Sequence, residues 1–284
     1  MNMTPTAFVG HGNPMNTLER NQYTESWRNL GRAIDRPRAV LAISAHWYIN
    51  ATAVTAMKAP RTIHDFYGFP DELFAFEYPA PGAPDVAAEI VEVVKPSWVG
   101  LDHDSWGIDH GTWSVLAHLV PDADLPVVQL SINAVESFEY HFDLGRRLAP
   151  LRDRGVLVVA SGNIVHNLGR IAWGKSGTGF DWAQRFDDAV RDVLATDPAG
   201  ILGLTEHPDF ALAVPTPDHF IPVLYFAGLM AEAGTTTRPF VDGCTLGSLS
   251  MTSYALDYHP DTAREPAETS RQAAPNAPAD QTNI

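Results

Sequence analysis

Short apolar runs alternate along the chain with stretches whose apolar residues recur at helical spacing. Strand-type runs lie at residues 7–9, 39–47, 51–57, 126–132, 155–163 and 248–256, and several are apolar on consecutive positions, as strands covered on both faces are. Helical spacing runs through residues 22–34, 84–94, 137–154, 181–195 and 217–231. This alternation predicts an α/β fold: a single-domain sandwich with a central, mostly parallel or mixed sheet covered by helices. In such sheets the functional crevice lies beyond the carboxyl ends of the strands. Residues 59–84 are rich in Pro, Gly and aromatics without a steady period, which predicts a long loop with short helical turns, serving as lid or pocket wall. The domain is expected over residues 1–258. Residues 259–284 are dense in Ala, Pro and polar groups, a composition that predicts a disordered tail.

Composition narrows the chemistry. Lys and Arg number 19 against 34 Asp and Glu, a formal net charge of -15, so a phosphate-backbone partner is not expected. Cys244 is the single cysteine, which excludes an internal disulfide framework and a cysteine-based zinc finger. The 11 histidines leave imidazole as the plentiful ligand for a transition metal. No apolar run approaches the ~20 residues that span a bilayer, and the first residues lack the pattern of a secretory signal. A soluble cytoplasmic protein with no membrane partner is expected.

The histidines repeat one setting. His11 stands in "FVGHGNP", where an apolar run halts at chain-breaking residues. Flanking glycines permit positive φ and the close approach of a ligand. His46 closes "AVLAISAHW", and His166 follows "VLVVASGNIVHN", so each is expected just past a core strand. His219, in "VPTPDHFIPVLY", is expected at the opening of a helix begun by Pro217 and Asp218. His64 in "TIHDF" and His110 in "GIDHGTW" sit in aromatic, Gly-rich loops suited to lining a pocket for a flat ring. Neutral imidazoles favour Zn, Fe, Cu or Ni over Mg and Ca. HExxH, GxSxG, GxxxxGK[ST] and a strand-following GxGxxG are all lacking, against a zincin protease, an elbow serine hydrolase, a P-loop enzyme and a dinucleotide enzyme. A His-rich metal enzyme remains, with oxidation and hydrolysis both open, beside a metal-carrying or sensing protein.

The blocks "FVGHGNPMNTLE", "AISAHWY", "TIHDFYGFP", "WGIDHGTWSVL", "VQLSINA", "ASGNIVHNLG", "PTPDHFIPVLY" and "GSLSM" resemble, in order, those of the class III extradiol ring-cleavage dioxygenases of the 4,5-DOPA dioxygenase group. The resemblance runs from Phe8 to Ser253. It implies an α/β fold and cleavage of a catechol such as DOPA by O2, outside the diol, at a non-haem Fe(II) centre that also accepts Zn(II). It implies His11, His46 and His219 as metal ligands. It gives His166 as acid/base beside the metal, close enough to count as a fourth ligand, and leaves His110 and His64 to line the substrate pocket. A zinc-dependent hydrolase using the same histidines is the alternative. Asp218 stands where the family block often has Glu, which shortens the reach of any hydrogen bond to His219.

Overall fold

The computed structural model describes residues 3–258. Among the described residues ten strands are formed: β1 (Thr6–Gly10), β2 (Ala39–Ile49), β3 (Ala53–Thr55), β4 (Gly100–Asp102), β5 (Val127–Asn133), β6 (Val156–Gly162), β7 (Pro239–Val241), β8 (Cys244–Thr245), β9 (Leu249–Ser250) and β10 (Ser253–Leu256). Eight make one mixed sheet in the order β4-β3-β5-β2-β6-β1-β10-β7. Its centre, β5-β2-β6-β1, is parallel, while β3–β5, β1–β10 and β10–β7 are antiparallel. The α/β sandwich expected from the sequence is therefore present, with a parallel centre whose strands end on one side.

The helices are α1 (Gln22–Ala33), α2 (Asp71–Phe74), α3 (Pro84–Val93), α4 (His110–Leu119), α5 (Phe138–Leu148), α6 (Pro150–Asp153), α7 (Asp181–Leu194), α8 (Phe210–Ala213) and α9 (Ile221–Ala233). Side chains alternate across each strand. Phe8, Leu41, Ile43 and Val158 join a core with α3, α5, α7 and α9, whereas Ala7, Val9, Val40 and Val159 join one with α1 and α4. Both sheet faces are thus covered.

Several boundaries differ from the pattern. The stretch 137–154 splits at Ala149 into α5 and α6, because Pro150 opens a new helix and cannot continue the old one. The last apolar run divides at Met251 and Thr252: β9 pairs with β8, and β10 with β1 and β7. The helix expected from residue 217 begins at Ile221, so His219 lies in the turn before it. His110, read as a loop residue, is the first residue of α4, whose Asp109 N-cap accepts from Thr112 N–H. That helix is buried nearly all round and so lacks the polar face that would reveal its period. The loop expected over residues 59–84 is irregular apart from α2, a bridge from Thr62 to Ile108, and Pro84, which opens α3. The tail expected from His259 lies outside the described residues. Among the described residues no helix is long and apolar enough to cross a membrane.

Candidate metal centre

His11 leaves the carboxyl end of β1, its N–H donating to Gly162 O at 3.1 Å, and its ring is buried. The two flanking glycines serve different ends. Gly12 takes φ +60, a left-handed conformation that side chains resist. Gly10 is crowded instead: a Cβ there would stand 2.8 Å from the Met251 carbonyl carbon. His11 Nδ1 lies 2.9 Å from Ser161 Oγ, which in turn lies 2.5 Å from Gly111 O. The carbonyl takes the single hydroxyl proton, so Ser161 accepts from His11 Nδ1–H. The lone pair of His11 is left on Nε2.

His46 lies within β2 and not beyond its end. Ile43 pairs with Leu130 but Tyr48 pairs with Ile132, so the stretch between them bulges from β5; bulges re-aim side chains in this way. Asp65, from the long loop, binds two rings at once. Its Oδ2 is 3.1 Å from His46 Nδ1 and its Oδ1 is 2.8 Å from His110 Nδ1. Oδ1 also accepts the His110 backbone N–H at 3.1 Å. A carboxylate only accepts, so both imidazoles carry their protons on Nδ1 and present Nε2 inward. Gly111 makes room for this arrangement, since a Cβ there would stand 2.7 Å from His46 Cδ2.

The Nε2 atoms of His11 and His46 face each other at 3.2 Å. Two lone pairs at that separation require a cation, either a proton or a metal ion. Ligands about 2.0–2.1 Å from a common ion at angles between octahedral and tetrahedral stand roughly 2.9–3.4 Å apart. One ligand atom from each of His11, His46 and His110 lies within 4.8 Å of the others. The donor set and its spacing fit a transition-metal ion.

His219 and His166 close the opposite side. His219 Nδ1–H donates to Asp218, so the shorter carboxylate still reaches its ring. The ring centroid of His219 is 5.3 Å from that of His11 and 5.0 Å from that of His46. His166 lies flat on His219, centroids 3.5 Å apart and planes 3° from parallel, and is held by its backbone N–H on Ala213 O at 2.9 Å. Burial, reinforced by neighbouring imidazoles, pushes His11 and His166 well below the usual imidazole range. Burial also brings His219 down to about 4, against the pull of Asp218. His46 goes the other way: burial opposes its charge, but the hydrogen bond and charge of Asp65 outweigh that and raise it. Asp65, despite burial, is held low by hydrogen bonds from His110 and His46.

These groups line a cleft of about 130 Å³ whose wall includes Pro14, Asp65, Phe66, Tyr67, Phe69 and Leu168. The loop 59–84 is thus a pocket wall. His11, His46, His110, His166 and His219 all face the cleft. His64 does not: its Nε2 bonds Phe76 O at 2.8 Å, and its ring packs against Phe66, Phe74 and Trp113, fastening the loop from behind. Its neighbour Asp65 and the strand residue Ser161 hold the rings instead, and sequence reading missed both. A larger groove, lined by Arg146, Arg147 and Glu232, lies on another surface and carries ion-paired charges.

The chain is similar to known proteins over most of its length. Residues 5–245 match the family described as the catalytic LigB subunit of aromatic ring-opening dioxygenase. The chain is 46% identical over 256 residues to the 4,5-DOPA dioxygenase extradiol of Escherichia coli (strain K12), covering 89% of this chain and 94% of that protein. It is 35% identical over 240 residues to the 4,5-DOPA dioxygenase extradiol of Beta vulgaris, covering 81% of this chain and 88% of the relative. The crystal structure of an uncharacterized protein from Escherichia coli K12 superposes with a TM-score of 0.78 at 41% identity, over 89% of this chain and 99% of that one.

Proposed function

Because the chain belongs to the LigB family of aromatic ring-opening dioxygenases, we propose that it cleaves a catechol such as DOPA with O2 at a non-haem Fe(II) ion, breaking the ring outside the diol. His11 and His46 hold the ion through Nε2; of the two further imidazoles beside them, His110 and His219, the family resemblance assigns His219 as the third ligand, its Nδ1 already committed to Asp218, and leaves His110 to the substrate. Zn(II) suits the same donors. The observation that carries the reading is the facing pair of Nε2 atoms at 3.2 Å, each ring locked by a partner on Nδ1. Bound there, Fe(II) brings the diol and O2 together and lets electrons pass between them, chemistry that imidazole alone cannot supply.

The chain's own residues bind, orient and move protons. Phe66, Tyr67, Phe69 and Leu168 form an apolar wall that accepts a flat ring and excludes water. His110, fixed by Asp65, faces the cleft beside His46 and offers Nε2 to a substrate hydroxyl proton. His166 is neutral at physiological pH because burial disfavours its cation, so it can accept a diol proton and return it to oxygen as the ring opens. Among the described residues its ring has no Nδ1 anchor of the kind that locks the others, and it is stacked on His219. Both atoms of O2 enter the product, so the reaction draws on no external reductant.

The test is direct. Protein loaded anaerobically with Fe(II), then given L-DOPA and air, should yield a yellow ring-opened semialdehyde containing both oxygen atoms of labelled O2. Unchanged catechol, together with Zn(II)-dependent hydrolysis of an ester or amide, would support the hydrolase instead.

A further inference from the structure

We propose that Asp187 is a positioning residue for the metal centre, acting through the segment from Leu249 to Ser253. This rests on the reading of His11, His166 and His219 given above. Asp187 lies on α7 within an otherwise apolar buried stripe of Ala183, Phe186, Val190 and Leu194. It is fully buried. Its Oδ1 accepts from Ser250 Oγ at 2.5 Å and its Oδ2 from Thr252 Oγ1 at 2.7 Å. With those protons committed, Ser250 Oγ accepts Thr252 N–H at 3.2 Å and Thr252 Oγ1 accepts Gly243 N–H at 3.0 Å. One carboxylate therefore sets both hydroxyls and the turn between β9 and β10.

That turn meets three of the histidine-bearing segments. Ser250 N–H donates to Val165 O at 2.9 Å, and Leu249 bridges His166. Ser250 O accepts from Asn163 Nδ2 at 2.7 Å, while Asn163 N–H donates to His219 O at 2.8 Å. Ser253 Oγ accepts Gly10 N–H at 3.0 Å, and Met251 packs under Gly10 and Gly12 on either side of His11. A buried carboxylate is costly unless it is well bonded, and simple packing of α7 calls for an apolar residue. Asp187 instead fixes, through β9 and the turn after it, the backbone on which His11, His166 and His219 are mounted.

The experiment compares Asp187→Ala, Asp187→Asn and Thr252→Val with Leu194→Ala, which opens a cavity on the same helix face about 10 Å along its axis. Three quantities are read for each: melting temperature, affinity for Co(II) with its visible spectrum, and kcat and KM for L-DOPA at saturating Fe(II). Asp187→Ala should lose roughly 10–100-fold in Co(II) affinity and kcat with KM changed less than about threefold, and its Co(II) spectrum should shift. Asp187→Asn, which keeps one acceptor oxygen, should recover part of the loss. Leu194→Ala should melt at least as early yet keep wild-type affinity, spectrum and kcat. Wild-type Co(II) binding and kcat in Asp187→Ala, or equal losses in Leu194→Ala, would overturn the proposal. If Asp187→Ala does not fold, Thr252→Val decides in its place by the same comparison. If wild-type protein cleaves no catechol, the reading of its function fails, while the Co(II) data still judge Asp187.

Discussion

Asp65 holds His46 with one carboxylate oxygen, Oδ2 to Nδ1 at 3.1 Å, while its other oxygen is taken by His110. One loop carboxylate therefore fixes the tautomer and direction of an imidazole on β2 and of another on α4. Asp65→Asn keeps the size but donates from one side, so one of the two Nδ1–H groups loses its acceptor. Metal affinity is expected to fall about 10–100-fold, as when other groups that orient metal-bound histidines are removed. Titration with Co(II) measures it. Unaltered affinity would mean that β2 and α4 alone set the rings.

His166 is expected to separate binding from chemistry. His166→Gln retains a hydrogen-bonding side chain but cannot exchange a proton near neutral pH, so Fe(II) and catechol should still bind while turnover falls roughly 10²–10⁴-fold. Iron analysis beside single-turnover kinetics checks this. Loss of iron in step with activity would make His166 a ligand, and full turnover would move the base to His110.

How far the site could be read in the sequence depended on the kind of feature. His11 was legible because an apolar run stops at glycines, and the parallel centre that brings β1, β2 and β6 to one edge followed from the alternation of runs. His46 faces the cleft from a bulge inside β2 and not from past a strand end as the apolar run predicts, because bulges leave no mark in such a run. Asp65 was hidden beside the more conspicuous His64, since its partners come from β2 and from α4, far along the chain. The α4 helix was missed because burial on all sides removes the polar stripe by which helices are recognised. Ser161 reads as an ordinary small strand residue until its hydroxyl is seen between His11 and Gly111.

Gly111 is expected to tolerate no side chain. Any Cβ there meets Ser44 Oγ at 2.5 Å and His46 Cδ2 at 2.7 Å, separations that force the ring to move. Gly111→Ala should therefore weaken metal binding more than it lowers the melting temperature; the reverse order would show that His46 yields freely.

Acid should destabilise the fold through histidines remote from the centre. Burial lowers His141 to about 4, with Nε2–H on Asn133 O and Nδ1 accepting from Tyr225. The folded-state value lies below the unfolded one, so this stability is complete above about pH 6.5 and is lost as pH falls towards 4, up to roughly 3 kcal/mol. His118, also lowered to about 4 by burial and the Arg28 charge, acts in the same direction. Urea unfolding between pH 4 and 7 should show a shallower pH slope in His141→Gln than in wild type; identical slopes would assign the acid sensitivity elsewhere.

The central claim is that the facing Nε2 atoms of His11 and His46 are ligands of one catalytic ion. Anaerobic Fe(II) titration of wild type, His11→Ala and His46→Ala, followed by L-DOPA and air with the semialdehyde read by absorbance, tests it most directly. Wild type should bind one Fe(II) per chain and form product in proportion to bound iron, while each variant should lose both high-affinity iron and product. Full iron binding and ring cleavage in either variant would contradict the account.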